Sequence, residues 1–286
     1  MTVLTRQRQS PALGAAGMVL IGLVCQEVGA SVAVLLFPST GPLGMAALRL
    51  GFSALILLAV LRPRLRGHAR RDWAVAGAFG AVLAGMNMLF YAALERLPLG
   101  TAVTLELLGP LVLSVAMSRR LSGWLWAGLA FAGVALLGHG GIDRLDPVGV
   151  GLALGAAAMW AGYILLSAKA GRHFPKLDGL ALAMGFAAIL SLPMGLASAG
   201  TALLRPDILL LGAAVAVLSS AVPYALELLA LRRLPESTFS ILMCLAPAAA
   251  AAAGFVILGQ GIEVVEMLAI ALVIAASIGA LRSTSA

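Results

Sequence analysis

Apolar runs of about 20 residues follow one another along the whole chain, with short charged segments between them. A helix of about 20 apolar residues crosses the hydrocarbon core of a bilayer. Within lipid each backbone N–H and C=O must be satisfied, so the runs must be helices. A membrane β-barrel would alternate apolar and polar residues, and these runs do not. Ten spans are expected, at roughly 12–35, 43–61, 72–93, 98–117, 122–138, 148–168, 178–198, 207–230, 236–258 and 264–281. Composition agrees, because 62% of the 286 residues are hydrophobic and only 11% are charged. An ordinary soluble protein carries about a quarter charged residues. The first run follows Arg6 and Arg8, is too long for a signal peptide and lacks a clear cleavage site. It reads as a retained span.

A second regularity divides the chain. Leu94–Pro110, LERLPLGTAVTLELLGP, reappears 137 residues later as Leu231–Pro247, LRRLPESTFSILMCLAP. Leu94, Arg96, Leu97, Pro98, Thr101 and Pro110 fall on Leu231, Arg233, Leu234, Pro235, Thr238 and Pro247. The same offset places Phe37-Pro38 on Phe174-Pro175. Internal repeats decide a fold, so two related halves are expected, 1–139 and 140–286. Each half holds five spans, and an odd count makes the second half enter from the opposite side. The expected architecture is an all-α membrane protein with two inverted five-helix repeats. That arrangement recurs in secondary transporters, with the substrate near the midplane between the halves.

Charge gives the orientation. Fifteen of the 19 Lys and Arg residues lie in one set of connecting segments, among them Arg62, Arg64, Arg66, Arg70 and Arg71. The other set holds only Arg96, Arg144 and Arg205, with Arg49 left inside a span. The positive-inside rule puts both termini in the cytoplasm, in agreement with an even number of spans. The net charge of +7 is therefore topology and no sign of nucleic-acid binding. Cys25 and Cys244 lie within apolar runs and read as small buried hydrophobes. His68, His139 and His173 fall in expected loops and form no metal-ligand spacing. No nucleotide, metal or cofactor motif appears, and no Ser/His/Asp set can be assembled, so an enzyme is not expected.

An ionisable residue within hydrocarbon costs roughly 2.5–3.5 kcal/mol on insertion scales, so it needs a partner or a wet cavity. Glu27, Arg49, Glu106 and Glu227 are the candidates. Counted at 1.5 Å per residue from their span ends, Glu27 and Arg49 lie at similar depth. Glu106 lies near the middle of its span, beside Gly109 and Pro110. The proline frees a backbone carbonyl one turn earlier and bends the helix. Under the repeat offset, Glu27 maps to Ile164, Arg49 to Phe186 and Glu106 to Met243. Charges that are asymmetric on a symmetric scaffold favour chemistry over architecture. Glu227 follows Ser220 and Tyr224 on one helical face. Asn87 and Tyr91, four apart, and Trp160, Tyr163 and Ser167 on another helix could complete a cavity with apolar walls and a few polar groups. Gly155–Ala158 and Ala248–Ala253 read as close helix packing.

At this point the chain resembles a known family. Two five-span inverted repeats resemble the EamA-domain branch of the drug/metabolite transporter superfamily. Gly29–Leu50 (GASVAVLLFPSTGPLGMAALRL), Gly85–Pro110 (GMNMLFYAALERLPLGTAVTLELLGP) and Leu218–Pro247 (LSSAVPYALELLALRRLPESTFSILMCLAP) are similar to the bacterial threonine/homoserine exporters. The resemblance implies a multi-pass inner-membrane carrier that exports small amino acids, driven by the proton gradient. It marks Arg49, Asn87, Glu106, Tyr224, Glu227 and the neighbourhood of Glu27 as positions in family-like motifs.

The expected function is therefore amino-acid export by proton antiport. Glu106 would meet the substrate ammonium and Arg49 its carboxylate. Asn87, Tyr91, Trp160, Tyr163 and Tyr224 would complete the binding site, and Glu106, Glu27 and Glu227 are the candidates for proton coupling. The alternative keeps the carrier and changes the cargo to an amphipathic drug, amine or other metabolite, held by stacking or cation–π contact on Trp160 and Tyr163. The expected partners are the solute and membrane lipid, with no cofactor, and a homodimer is left open.

Overall fold

The computed structural model describes residues 9–118, 121–139, 145–175, 177–231, 233–234 and 236–285. Among the described residues the chain is helices joined by turns, with no strand. The helices are α1 Gln9–Leu61, α2 Arg70–Leu94, α3 Leu99–Glu106, α4 Leu108–Ser118, α5 Leu121–His139 and α6 Pro147–His173. After them come α7 Asp178–Ala199, α8 Pro206–Ala216, α9 Val222–Leu231, α10 Glu236–Met243, α11 Ala246–Leu258 and α12 Val264–Ser285. Among the described residues seven stretches are long and apolar enough to cross a membrane.

Prolines and glycines make the helix boundaries differ from the expected spans. No loop separates the first two spans. The helix runs through residues 36–42 and breaks at one residue, Gly41 (φ 63°, ψ 164°), between Pro38 and Pro42. The apolar part of α1, Gly14–Leu61, is 48 residues long, far more than one crossing of about 20 requires. The expected span 98–117 is divided at Leu107 into α3 and α4. Pro110 has no N–H to offer the carbonyl of Glu106, so the ladder fails there. The same break recurs at residues 244–245, between α10 and α11. There Pro247 withdraws the donor from Met243. The expected span 207–230 is divided by a π-helical turn, Val217–Ala221, just before Pro223.

Small residues set the packing, as expected for helices that lack a hydrophobic drive in lipid. A Cβ on Gly100 of α3 would stand 2.8 Å from the Cβ of Ala251 on α11. A Cβ on Gly109 of α4 would fall on the backbone of Ala157 in α6. Gly29 on the first arm of α1 lies against Ser219 of the π-helical turn, and Gly44 on the second arm against Ala199 of α7. Gly279 of α12 lies under the ring of Trp126 on α5. The core gathers round Met45, Tyr91, Leu99 and Leu105, which are fully buried.

Polar contacts join the helix ends. At one end His173 Nδ1 lies 2.8 Å from Asp72 Oδ1, so this histidine ends α6 half-buried and paired where a loop residue was expected. At the other end Arg96 Nη1 donates to Asp146 Oδ2 at 2.6 Å, while Asp146 Oδ1 caps α6 through Val148 N–H at 2.8 Å. The hydrogen bond from Arg96 is the main cause that holds the Asp146 carboxyl below the usual carboxylate range, with the capping N–H second. A lowered folded-state value stabilises the fold above the unfolded value of about 3.9, and this is lost as pH falls through the lowered value. Arg96→Ala should therefore lower the thermal midpoint slightly at pH 6, and the gap to the parent should close below pH 3. A gap that widens in acid would contradict the pairing.

Candidate functional site

The prolines that break the helices also build the site. Pro223 cannot donate to the carbonyl of Ser219, its partner in an α-helix. That carbonyl accepts instead from Arg49 Nη2 at 3.3 Å. One turn further along α1, Ser53 Oγ donates to Ser220 Oγ at 2.9 Å. Arg49 Nη1 donates to the hydroxyl of Tyr91 at 3.3 Å, and the guanidinium lies 5.5 Å from the centre of that ring. The arginine is thus held by three elements, α1, α2 and the π-helical turn. The matching break at Leu107 sets Glu106 at the last turn of α3, where its side chain meets open space.

That space is a cavity of about 590 Å³. Its wall contains Glu27, Arg49, Asn87, Glu106, Trp160, Tyr163 and Glu227. Three carboxyl groups and one guanidinium therefore share one chamber. Glu27 is buried, at 3% exposure, whereas Glu106, Arg49 and Glu227 are partly exposed. Asn87 uses its amide nitrogen on the carbonyl of Leu83 at 2.9 Å. Charges in a space walled mainly by apolar side chains interact far more strongly than in water. Such a chamber can hold a small solute by a positive group on the acids and a negative one on the arginine.

One of the expected binding residues stands apart from the wall. Tyr91 is fully buried behind Arg49, packed on Phe37 and Phe90, and orients the arginine. The side chain of Tyr224 lies outside the described residues. Ser167 lines a second, smaller cavity of about 170 Å³, which shares Tyr163 with the first. Among the described residues no cluster of His, Cys, Asp and Glu is placed to hold a metal.

The sequence did not single out several apolar and neutral residues on the wall, including Gln26, Met86, Phe90, Phe239 and Cys244. The signal that finds some of them is the repeat offset. Gln26 and Tyr163, Glu27 and Ile164, Phe90 and Glu227, Glu106 and Met243, and Leu107 and Cys244 are each 137 positions apart, and all ten residues line this cavity.

Fold and chamber together define a multi-pass membrane protein with a charged interior. Residues 147–282 match the EamA-like transporter family. Threonine/homoserine exporter RhtA of Salmonella typhimurium (strain LT2) is 43% identical over 265 residues, which is 92% of this chain and 89% of that protein. The protein of the same name from Escherichia coli (strain K12) is 41% identical over the same shares. A crystal structure of a protein with 20% identity superposes with a TM-score of 0.62, over 94% of this chain and 98% of its own. That last likeness supports the fold alone. The chain belongs to the EamA-like transporter family.

Proposed function

We propose that this protein exports small amino acids of the threonine and homoserine kind across the bacterial inner membrane, in exchange for protons. The observation that carries this reading is the chamber in which Glu106, Glu27 and Arg49 line one cavity. A zwitterionic amino acid offers an ammonium for Glu106 and a carboxylate for Arg49, with Asn87 beside them as a neutral hydrogen-bonding group. The names of the 41% and 43% identical relatives support this choice of cargo.

The architecture we propose is ten spans in two inverted halves, 1–139 and 140–286, with both termini in the cytoplasm. The divided helices α3–α4 and α10–α11 break at positions 137 apart, and the cavity wall carries residue pairs at that same offset. Packed partners follow the same exchange, since α2 meets α6 as α9 meets α1, and α5 meets its own counterpart α12. Two similar halves support two similar packings, one open to each side. A Glu that takes a proton from outside and gives it up inside as the ammonium arrives couples the two fluxes. We assign this role to Glu106, which lines the chamber with Glu27 and Glu227.

One observation favours a second cargo. A volume of about 590 Å³ lies in the range of drug-sized pockets, roughly 300–1,000 Å³, and Trp160 and Tyr163 offer aromatic faces to an amine. Counterflow in proteoliposomes separates the two readings. Vesicles loaded with unlabelled threonine should accumulate labelled threonine and homoserine, and quaternary amines should not compete. Competition by the amines, with no counterflow of either amino acid, would overturn the amino-acid reading in favour of the other.

A further inference from the structure

Among the described residues the cavity wall leads to one end of the bundle. On α3 and α4 its wall runs from Val103 to Met117, on α12 it takes in Ser277, Ala280 and Leu281, and on α10 Phe239 and Met243. These positions lead from the middle of the bundle to the end where α4 and α12 finish and α10 begins, the end rich in arginine. At the opposite end α3 begins, α11 finishes and α12 begins, and among the described residues Leu99, Thr101, Ala102, Gln260 and Glu266 do not line the cavity. Leu99 and Ala102 are fully buried and Thr101 is 2% exposed.

This closed end is fastened by side chains that reach across from the far part of the sequence. Gln260 Oε1 accepts from the backbone N–H of Leu99 at 3.0 Å, which caps the otherwise unsatisfied start of α3. Thr101 Oγ1 donates to Glu266 Oε1 of α12 at 2.7 Å. The chain is shaped to deliver the glutamine. α11 ends at Gly259 in the left-handed region (φ 65°), and Gln260 N–H then turns back to the carbonyl of Gly254 at 3.1 Å. A Cβ at residue 254 would stand 2.5 Å from Gln260 Oε1, so glycine leaves the room that the side chain needs. Both fastenings hold α3, the short helix that presents Glu106 to the chamber.

We propose that Gln260 and Glu266 are the latch of the outer gate, and that the chamber opens to the outside when their bonds to α3 release. This rests on the carrier reading above. Gln260 and Glu266 are positioning residues, since neither lines the chamber. A latch of this kind biases which side the chamber faces, and its loss shifts the population towards the outward-open form.

The test uses Met86→Cys, on the chamber wall, in a background of Cys25→Ser and Cys244→Ala, with a membrane-impermeant maleimide applied to either face. In the parent the cysteine should label readily from the arginine-rich face and slowly from the other. Gln260→Ala and Thr101→Val should each speed labelling from the outer face by roughly two- to tenfold, the worth of one hydrogen bond in a two-state equilibrium. Gly254→Ala should act in the same direction. Gln260→Glu keeps an acceptor for Leu99 N–H and Thr101→Ser keeps a donor for Glu266, so both should label like the parent and report that the fold is intact. Outer labelling unchanged in Gln260→Ala and Thr101→Val would overturn the latch while export stands. Equal acceleration in the conservative variants would overturn it too. Failure to label from either face in every variant, the parent included, would overturn the carrier reading itself.

Discussion

Glu106→Gln should abolish coupled export. The substitution keeps the shape of the side chain at the end of α3 and removes both its charge and its exchangeable proton. Removing one partner of a buried charged pair costs roughly 2–5 kcal/mol, which is about 30-fold or more in affinity. Accumulation of labelled threonine in inverted vesicles under an imposed pH gradient should therefore fall to the level of empty vesicles. Raising the substrate concentration should restore some exchange, because Arg49 and Asn87 remain, but the response to the gradient should not return. Transport at the parent rate, with its pH dependence unchanged, would remove Glu106 from the coupling. The same variant of Glu227 separates the acids: on the proposed reading Glu227, near the arginine-rich end, relays protons to that face, so Glu227→Gln should slow coupled export and leave threonine binding intact.

The second large effect is structural. Gly109→Val should prevent the protein from folding to a stable form, and Gly109→Ala should already weaken it. The new Cβ falls on the backbone of Ala157, so no rotamer change can relieve it, and α4 and α6 must part. Overpacking of a well-packed core costs typically 1–3 kcal/mol, and a clash between backbones belongs at the upper end or beyond. α6 carries Trp160 and Tyr163, so the chamber would lose one wall. Thermal unfolding in detergent checks this against Gly128→Ala, where a Cβ on α5 meets nothing within 4 Å. The control should match or slightly exceed the parent, because alanine favours a helix over glycine by about 1 kcal/mol. A midpoint for Gly109→Ala equal to that of the control would contradict the close approach of α4 and α6.

The charged part of the site was legible in the sequence because charge is costly in hydrocarbon. Glu27, Arg49, Glu106 and Glu227 each stood out as an exception to an apolar run, and all four line one cavity. Asn87, Trp160 and Tyr163 share that wall, picked out by helical spacing. The apolar wall was not legible, because Met86 or Phe239 looks like any residue that faces lipid or a neighbouring helix. Tyr91 shows the limit of spacing. It lies one turn from Asn87, yet it is buried behind Arg49 and serves the arginine. The helix breaks were half legible. Pro110 and Pro247 marked a bend, but the clean division at Leu107 and the π-helical turn before Pro223 depend on what receives the freed carbonyls. Arg49 takes that of Ser219, from 170 residues away, and no local pattern announces such a partner. The junction of the first two spans was legible only in part, for a related reason. A proline-bounded stretch looks like a loop, whereas Gly41 alone absorbs the break.

The central claim is that a zwitterion enters the chamber by exchanging its ammonium for a proton on one of the acids. Proton release on binding tests this most directly, with purified protein in weakly buffered detergent solution titrated with threonine. The account predicts about one proton released per threonine bound, since one carboxyl group gives way to one ammonium, with the release lost in Glu106→Gln. Saturable binding of threonine that releases no proton from the parent protein would contradict it.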